Sequence, residues 1–193
     1  VDRDSYEREN QRFYDQYKAG TLDIQAFLAF SLRPLAEHPP ARLHAWREEF
    51  LAQLIDPIVL PDARALVEKH RTLGDTPVII TATNRFVTAP IAARFGIEHL
   101  IATEVEMDGE RYTGRSTGTP CFQSGKVQRL QHWLNEQQAD LNGSWFYSHN
   151  DLPLLEQVTH PVAVDPDDTL AHHARARGWP VISLRQGWIG PAT

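Results

Sequence analysis

The stretch Pro77-Val78-Ile79-Ile80-Thr81-Ala82-Thr83-Asn84 decides how the chain is read. Three consecutive β-branched residues, Val78 to Ile80, predict a fully buried strand rather than one with a solvated face. Asp75 and Pro77 punctuate its start, and Gly74 closes the segment before it. The far end turns small and polar at Thr81, Ala82, Thr83 and Asn84. Ligands of open α/β sheets bind beyond the carboxyl ends of parallel strands, and hydroxyls there meet anions. Helical patterns over 62–73 and 87–95 flank the stretch and make one α-β-α unit. Two readings of the polar tip stand open: an anion site, or an ordinary strand end whose threonine caps the next helix.

Outward from this unit the chain divides in two. Residues 1–57 read as all-helical. A polar helix carries Tyr6, Phe13, Tyr14 and Tyr17 and stops at Gly20, and a second, capped by Thr21 or Asp23, buries Ile24, Phe27, Leu28, Phe30 and Leu32. After the break at His38-Pro39-Pro40, a third places Leu43, Trp46, Phe50, Leu51 and Leu54 at helical spacing. Residues 58–193 alternate helix and strand. A short strand over 97–102 leads to a hairpin signalled by Asp108-Gly109. Then come a helix over 126–138, a buried strand over 144–148, a short helix over 152–158, a strand over 160–164, a helix over 168–177 and a last strand over 180–184. The expected fold is α/β: a three-layer, Rossmann-like parallel sheet with helices on both faces, a small helical cap and a β-hairpin insertion.

Composition narrows the classes of function. At 193 residues the chain can bury a core without staples. A net charge of −6 disfavours nucleic acid as a partner. Its apolar runs are short for a bilayer span, so no membrane partner is expected. The single cysteine, Cys121, excludes an internal disulfide and fits a reducing compartment, so the expected location is cytoplasmic. No base accompanies Cys121 in the sequence, which reads as a spectator.

Chemistry-bearing residues fall into clusters at strand ends and helix starts. Besides Thr81 to Asn84 there is Ser124-Gly125-Lys126 at a helix start, where a lysine and free amides favour an anion. Another is Ser148-His149-Asn150-Asp151, at the tip of a buried strand. Together a hydroxyl, a lysine and a carboxylate could hold a phosphate and a divalent cation. Each has a plainer reading: Lys126 as a solvated lysine, Asp151 as a helix N-cap, Asn84 and Arg85 as an exposed loop pair.

The order of these clusters resembles the haloacid dehalogenase superfamily, in its phosphoserine-phosphatase-like branch with a helical cap. Val78-Ile79-Ile80-Thr81 is similar to that family's second motif, Gly125-Lys126-Val127 to its third, and Asn150-Asp151-Leu152-Pro153-Leu154-Leu155 to its fourth. The hairpin from Thr103 through Asp108-Gly109 to Gly114 and the Trp179-Pro180 step also resemble this branch. The resemblance implies a magnesium-dependent phosphomonoester hydrolase working through an aspartyl phosphate, with a small phosphorylated metabolite as substrate. It implies catalytic roles for Thr81 and Lys126, phosphate binding by Thr81, Ala82, Asn84 and Lys126, and Mg2+ near Asp151 and Asn150. The cap would choose the substrate, with Arg33, Phe27, Phe30 and Trp46 as candidates that equally serve helix packing.

Two departures from the pattern carry weight. The family's Asp-x-Asp-x-Thr motif ends a strand ahead of the cap, and no such sequence occurs upstream of the cap-like helices here. An Asp-Ser pair would also be expected between Ser148 and His149. In that family's sheet the opening strand lies between those matched at 78–81 and 145–148. Without it two buried strand edges would lack partners, at roughly 1–3 kcal/mol per unsatisfied group. The expectation is therefore a nucleophile-bearing strand ahead of residue 1. A degenerate homologue that binds phosphate or a metabolite without turnover, and a phosphotransferase of the same family, are the alternatives.

Overall fold

The computed structural model describes residues 3–185. The boundaries expected at 1–57 and 58–193 run past the described residues at both ends. Three helices come first: α1 (Arg3–Lys18), α2 (Ile24–Glu37) and α3 (Pro40–Phe50). Asp23 caps α2, its carboxylate accepting from the Gln25 and Ala26 amides. Phe13 is buried against Phe27 and Phe30, and Tyr6 stacks on Phe30. The α3 helix loosens into a π-turn over Leu51–Ile55 and a 3-10 turn over Asp56–Ile58. The expected α3 stripe is corrected here: Leu43 and Leu51 are buried, whereas Trp46, Phe50 and Leu54 are exposed. The packed seam runs 43–47–51, and Arg47 lies over the Phe86 ring and donates to the Phe86 carbonyl at 3.1 Å.

The remainder alternates as α4 (Pro61–Thr72), β1 (Val78–Asn84), α5 (Arg85–Arg94), β2 (His99–Asp108), β3 (Arg111–Thr117), α6 (Ser124–Gln137), β4 (Trp145–Ser148), α7 (Leu152–Leu155), β5 (His160–Val164), α8 (Asp168–Arg177) and β6 (Val181–Ile182). The expected short strand and the first arm of the expected hairpin are one long strand. β2 pairs parallel with β1 through His99–Thr103, then antiparallel with β3 from Glu104 onward. The hairpin packs on α2, around a cluster of Leu28, Leu32, Leu35 and Leu43 joined by Val105 and Tyr112. A second cluster, Leu155, Ala163, Leu170 and Ala174, joins α7, β5 and α8.

The α/β, Rossmann-like architecture is as expected, but the hydrogen bonding divides it. Strands β1-β2-β3 form one sheet and β4-β5-β6 another. Between β1 and β4 lies a cavity of about 620 Å³ lined by Ile79, Ile80, Phe146, Tyr147, Lys126 and Asp151, among others. The expectation of fully buried strands is corrected accordingly: Val78, Ile79 and Ile80 are only half-buried and Trp145 is exposed. Each of β1 and β4 pairs along one edge only among the described residues, so the other edge faces the cavity. Among the described residues polar links span it. His70, at the end of α4, meets the Tyr147 hydroxyl at 2.7 Å and Asp75 at 2.6 Å. Lys126 meets Asp151 beyond the carboxyl end of β4.

Candidate active site

The tip of β1 is pushed out of the sheet. Ile80 pairs with Ile101 and Asn84 with Thr103, so four residues of β1 span the same pairing distance as two of β2. The excess bulges over Thr81 to Thr83, a device that re-aims side chains at the end of a strand. Thr81 Oγ1 accepts from the Thr83 amide at 3.2 Å. Asn84 takes the capping role, its Oδ1 accepting from the Val87 amide at 3.1 Å. The Ala82 carbonyl accepts from Thr103 Oγ1 at 2.9 Å. Thr103 has no solvent exposure, and the same hydroxyl accepts from the Cys121 amide at 3.1 Å. One buried threonine thus ties the bulge to the loop that leads into α6.

That loop is tightly folded. Gln123 adopts φ 46°, outside the usual range for a residue with a side chain. A Cβ on Gly125 would lie 2.1 Å from the Pro120 carbonyl oxygen, so only glycine fits there. The turn delivers Lys126 in the first turn of α6, inward rather than to solvent: its side chain is 18 % exposed. Lys126 Nζ donates to Asp151 Oδ2, itself on a buried residue. Asp151 occupies the N-cap position of α7 but makes no capping bond, so its carboxylate is committed to the lysine. Ser148 Oγ accepts from the Asp151 amide at 3.0 Å and holds the turn after β4.

Cys121 marks the point where these pieces meet. Burial pushes its thiol pKa up, against the charges of Arg129 and Lys126 and a hydrogen bond from the Thr81 backbone that favour the thiolate. Lys126 and Asp151 line one cavity together with Ile80, the residue before Thr81. Asn150 is turned elsewhere, its amide donating to the Tyr17 hydroxyl of α1 at 2.7 Å. Tyr17 also rests near the Phe122 ring, so this residue of α1 reaches the loop ahead of α6 as well. The other cap candidates serve packing: Phe27 and Phe30 lie against Phe13, Arg33 pairs with Glu37, and Trp46 meets His38 and Arg42 on the surface. His149 is held by the Asp165 carbonyl.

Magnesium demands near-octahedral oxygen ligands, commonly including one or two carboxylates. The described residues offer Asp151, already engaged by Lys126, and no group of three or more His, Cys, Asp or Glu that could hold a metal. This donor set alone does not make a magnesium site.

Sequence reasoning passed over Thr103, Tyr17 and a charged cluster beside the site. Glu104 accepts from Arg85 through both carboxylate oxygens, at 2.8 and 2.9 Å, and from Arg129 at 2.9 Å. A threonine closing the apolar run Leu100-Ile101-Ala102 was the available signal for Thr103. The cluster joins residues 19 and 25 apart and leaves no local pattern.

A hydroxyl near the end of β1, a helix-start lysine and a buried carboxylate follow one another along this fold, and comparison with known proteins gives the class. Residues 2–156 match the model of the haloacid dehalogenase-like hydrolases, and the chain belongs to that family. It is 42 % identical over 191 residues to the histidinol-phosphatase of Neisseria meningitidis serogroup C, covering 96 % of this chain and 86 % of that protein. It is 32 % identical over 146 residues to a "Probable phosphatase" of Mycobacterium tuberculosis, covering 75 % of this chain but only half of that longer protein. Among solved structures, a protein of unknown function from Bordetella pertussis Tohama I superposes with a TM-score of 0.88 at 44 % identity, covering 95 % of this chain and 85 % of that one. A substrate-bound phosphoserine phosphatase superposes with a TM-score of 0.63 at 13 % identity, over 92 % of this chain and 80 % of that one, a likeness of fold alone.

Proposed function

We propose that this family member is a magnesium-dependent phosphomonoester hydrolase acting on a small phosphorylated metabolite. The observation that carries the reading is the inward Lys126–Asp151 pair, which lines the cavity that β1 borders through Ile79 and Ile80. A lysine held there by a carboxylate is placed to stabilise charge on a phosphoryl group, and preorganised charge of this kind is a large contributor to catalysis. The Thr81 hydroxyl is the matching donor to a phosphoryl oxygen, with the amides around Ala82 and Asn84 beside it. Residues 1–57 act as the cap and 58–193 as the core.

The slot between β1 and β4 is the seat of a further parallel strand carrying the nucleophilic aspartate. Its carboxylate would attack phosphorus while the bond to the leaving alcohol breaks and that oxygen takes up a proton; water then hydrolyses the acyl phosphate. The same strand would bring the carboxylates that Asp151 and Asn150 lack for a magnesium site. The 42 % identical relative named histidinol-phosphatase makes histidinol phosphate the first substrate to try. A free Cys121 thiol suits a cytoplasmic setting, and no described helix is long and apolar enough to cross a membrane.

The test is phosphate release from histidinol phosphate, with phosphoserine and p-nitrophenyl phosphate alongside, with Mg2+ and with EDTA. Release that needs Mg2+ and falls at least about 100-fold in Lys126→Ala supports the proposal. Phosphate binding without turnover of any ester would replace it with the binding reading, and transfer to added glycerol would mark a phosphotransferase.

A further inference from the structure

Arg85, Glu104 and Arg129 come from three elements that meet beside the site. Arg85 opens α5 directly after the bulge and Asn84. Glu104 stands where β2 leaves its pairing with β1 and takes up β3. Arg129 lies three residues beyond Lys126 on α6, a spacing that puts both on one helix face. The two guanidiniums close on the one carboxylate, and each also holds the backbone: Arg85 donates to the Leu100 carbonyl at 2.7 Å, and Arg129 to the Thr119 carbonyl at 3.3 Å. Thr119 belongs to the tight loop that delivers Lys126. The cluster therefore sets the start of α6 against the tip of β1.

We propose that Glu104 is a positioning residue for this site, fixing Lys126 relative to Thr81 through Arg129 on one side and Arg85 on the other. The inference builds on the phosphatase reading, since it assigns Lys126 a task that depends on placement. Two features favour positioning over simple surface pairing. The Arg129 side chain is 19 % exposed and that of Glu104 31 %, so the pair is partly shielded from competing water and salt. Burial works to raise the Glu104 carboxyl, yet the bonds and charges of Arg85 and Arg129 hold it below its ordinary value. A fork-shaped guanidinium on a carboxylate fixes angle as well as distance, which a lysine cannot do.

The experiment follows Lys126 itself. In uniformly 15N-labelled full chain, the Lys126 Nζ signal, assigned with Lys126→Met, reports the Asp151 bond independently of turnover. In Glu104→Gln we expect that signal to broaden or vanish while the amide spectrum stays folded. Turnover of p-nitrophenyl phosphate should lose about 10- to 100-fold in kcat with KM nearly unchanged, the cost of a small misplacement. Arg129→Lys keeps the charge but loses the fork and should repeat the pattern, a second route if Glu104→Gln folds poorly. An unchanged Nζ signal with kcat within twofold in both variants would overturn the inference. If the Nζ signal responds but the parent protein turns over no ester, the positioning role stands and the phosphatase reading falls.

Discussion

Removing the Thr103 hydroxyl while keeping the side-chain shape is the sharpest test of how the site is held. In Thr103→Val the Cys121 amide, which is fully buried, loses its acceptor, and the half-buried Ala82 carbonyl loses its donor. Leaving a buried donor unsatisfied costs roughly 1–3 kcal/mol, and losing an ordinary hydrogen bond about 0.5–1.5 kcal/mol. The sum, about 2–4 kcal/mol, is a large share of the 5–15 kcal/mol that typically stabilises a domain. For a chain of this size each kcal/mol moves Tm by about 2–4 °C, so Thr103→Val should melt roughly 5–15 °C lower. Thr103→Ser keeps the hydroxyl and loses one methyl group, so it should stay within a few degrees of the parent. Thermal unfolding followed by far-UV circular dichroism, with urea titration as a check on slope, reads both variants. A Thr103→Val protein melting within about 2 °C of the parent would refute the idea that this hydroxyl anchors the β1 bulge to the α6 loop.

Other consequences are more quickly stated. Gly125→Ala forces a Cβ against the Pro120 carbonyl; an overpacking cost of about 1–3 kcal/mol and a displaced Lys126 should appear as a lower Tm and a lost Lys126 Nζ signal. Lys126→Met strands the buried Asp151 carboxylate at a cost approaching ~3–5 kcal/mol, and Lys126→Met with Asp151→Leu should recover part of it in a urea double-mutant cycle. The folded-state pKa of Glu104 is depressed, so its contribution is present above the ordinary value of 4.5 and disappears as pH falls through the lower folded value. The stability gap between parent and Glu104→Gln should thus be constant above pH 5 and shrink in more acidic urea titrations. Burial and a raised pKa should protect Cys121 from iodoacetamide at pH 8 until denaturant is added; fast labelling of folded protein would contradict its placement.

Local pattern carried most of the fold into view. The β-branched run at Val78–Ile80, the Asp23 cap and the Asp108-Gly109 turn each announce an element through neighbouring residues, and each is where expected. Lys126 in the first turn of α6 and Asp151 just ahead of α7 follow from equally local signals, because helix starts are themselves local events. What escaped depends on contacts between distant residues. Nothing near Glu104 announces Arg85 and Arg129, and nothing in α1 marks Tyr17 as the residue that reaches Asn150. The half-buried state of β1 was illegible for a different reason. Composition sets how much a strand would gain from being covered, whereas pairing decides whether both its edges are.

The split sheet bears on how the molecule comes apart. Within each half, paired strands join residues that are close in sequence, as in Val78 with His99 or Trp145 with His160, and each half has its own apolar cluster. Across the cavity the polar ties are few, and His70 with Tyr147 closes a loop of 77 residues. Among the described residues each half can open locally ahead of the other, so amide protons of β2 and β5 should differ in exchange rate within a single global melt.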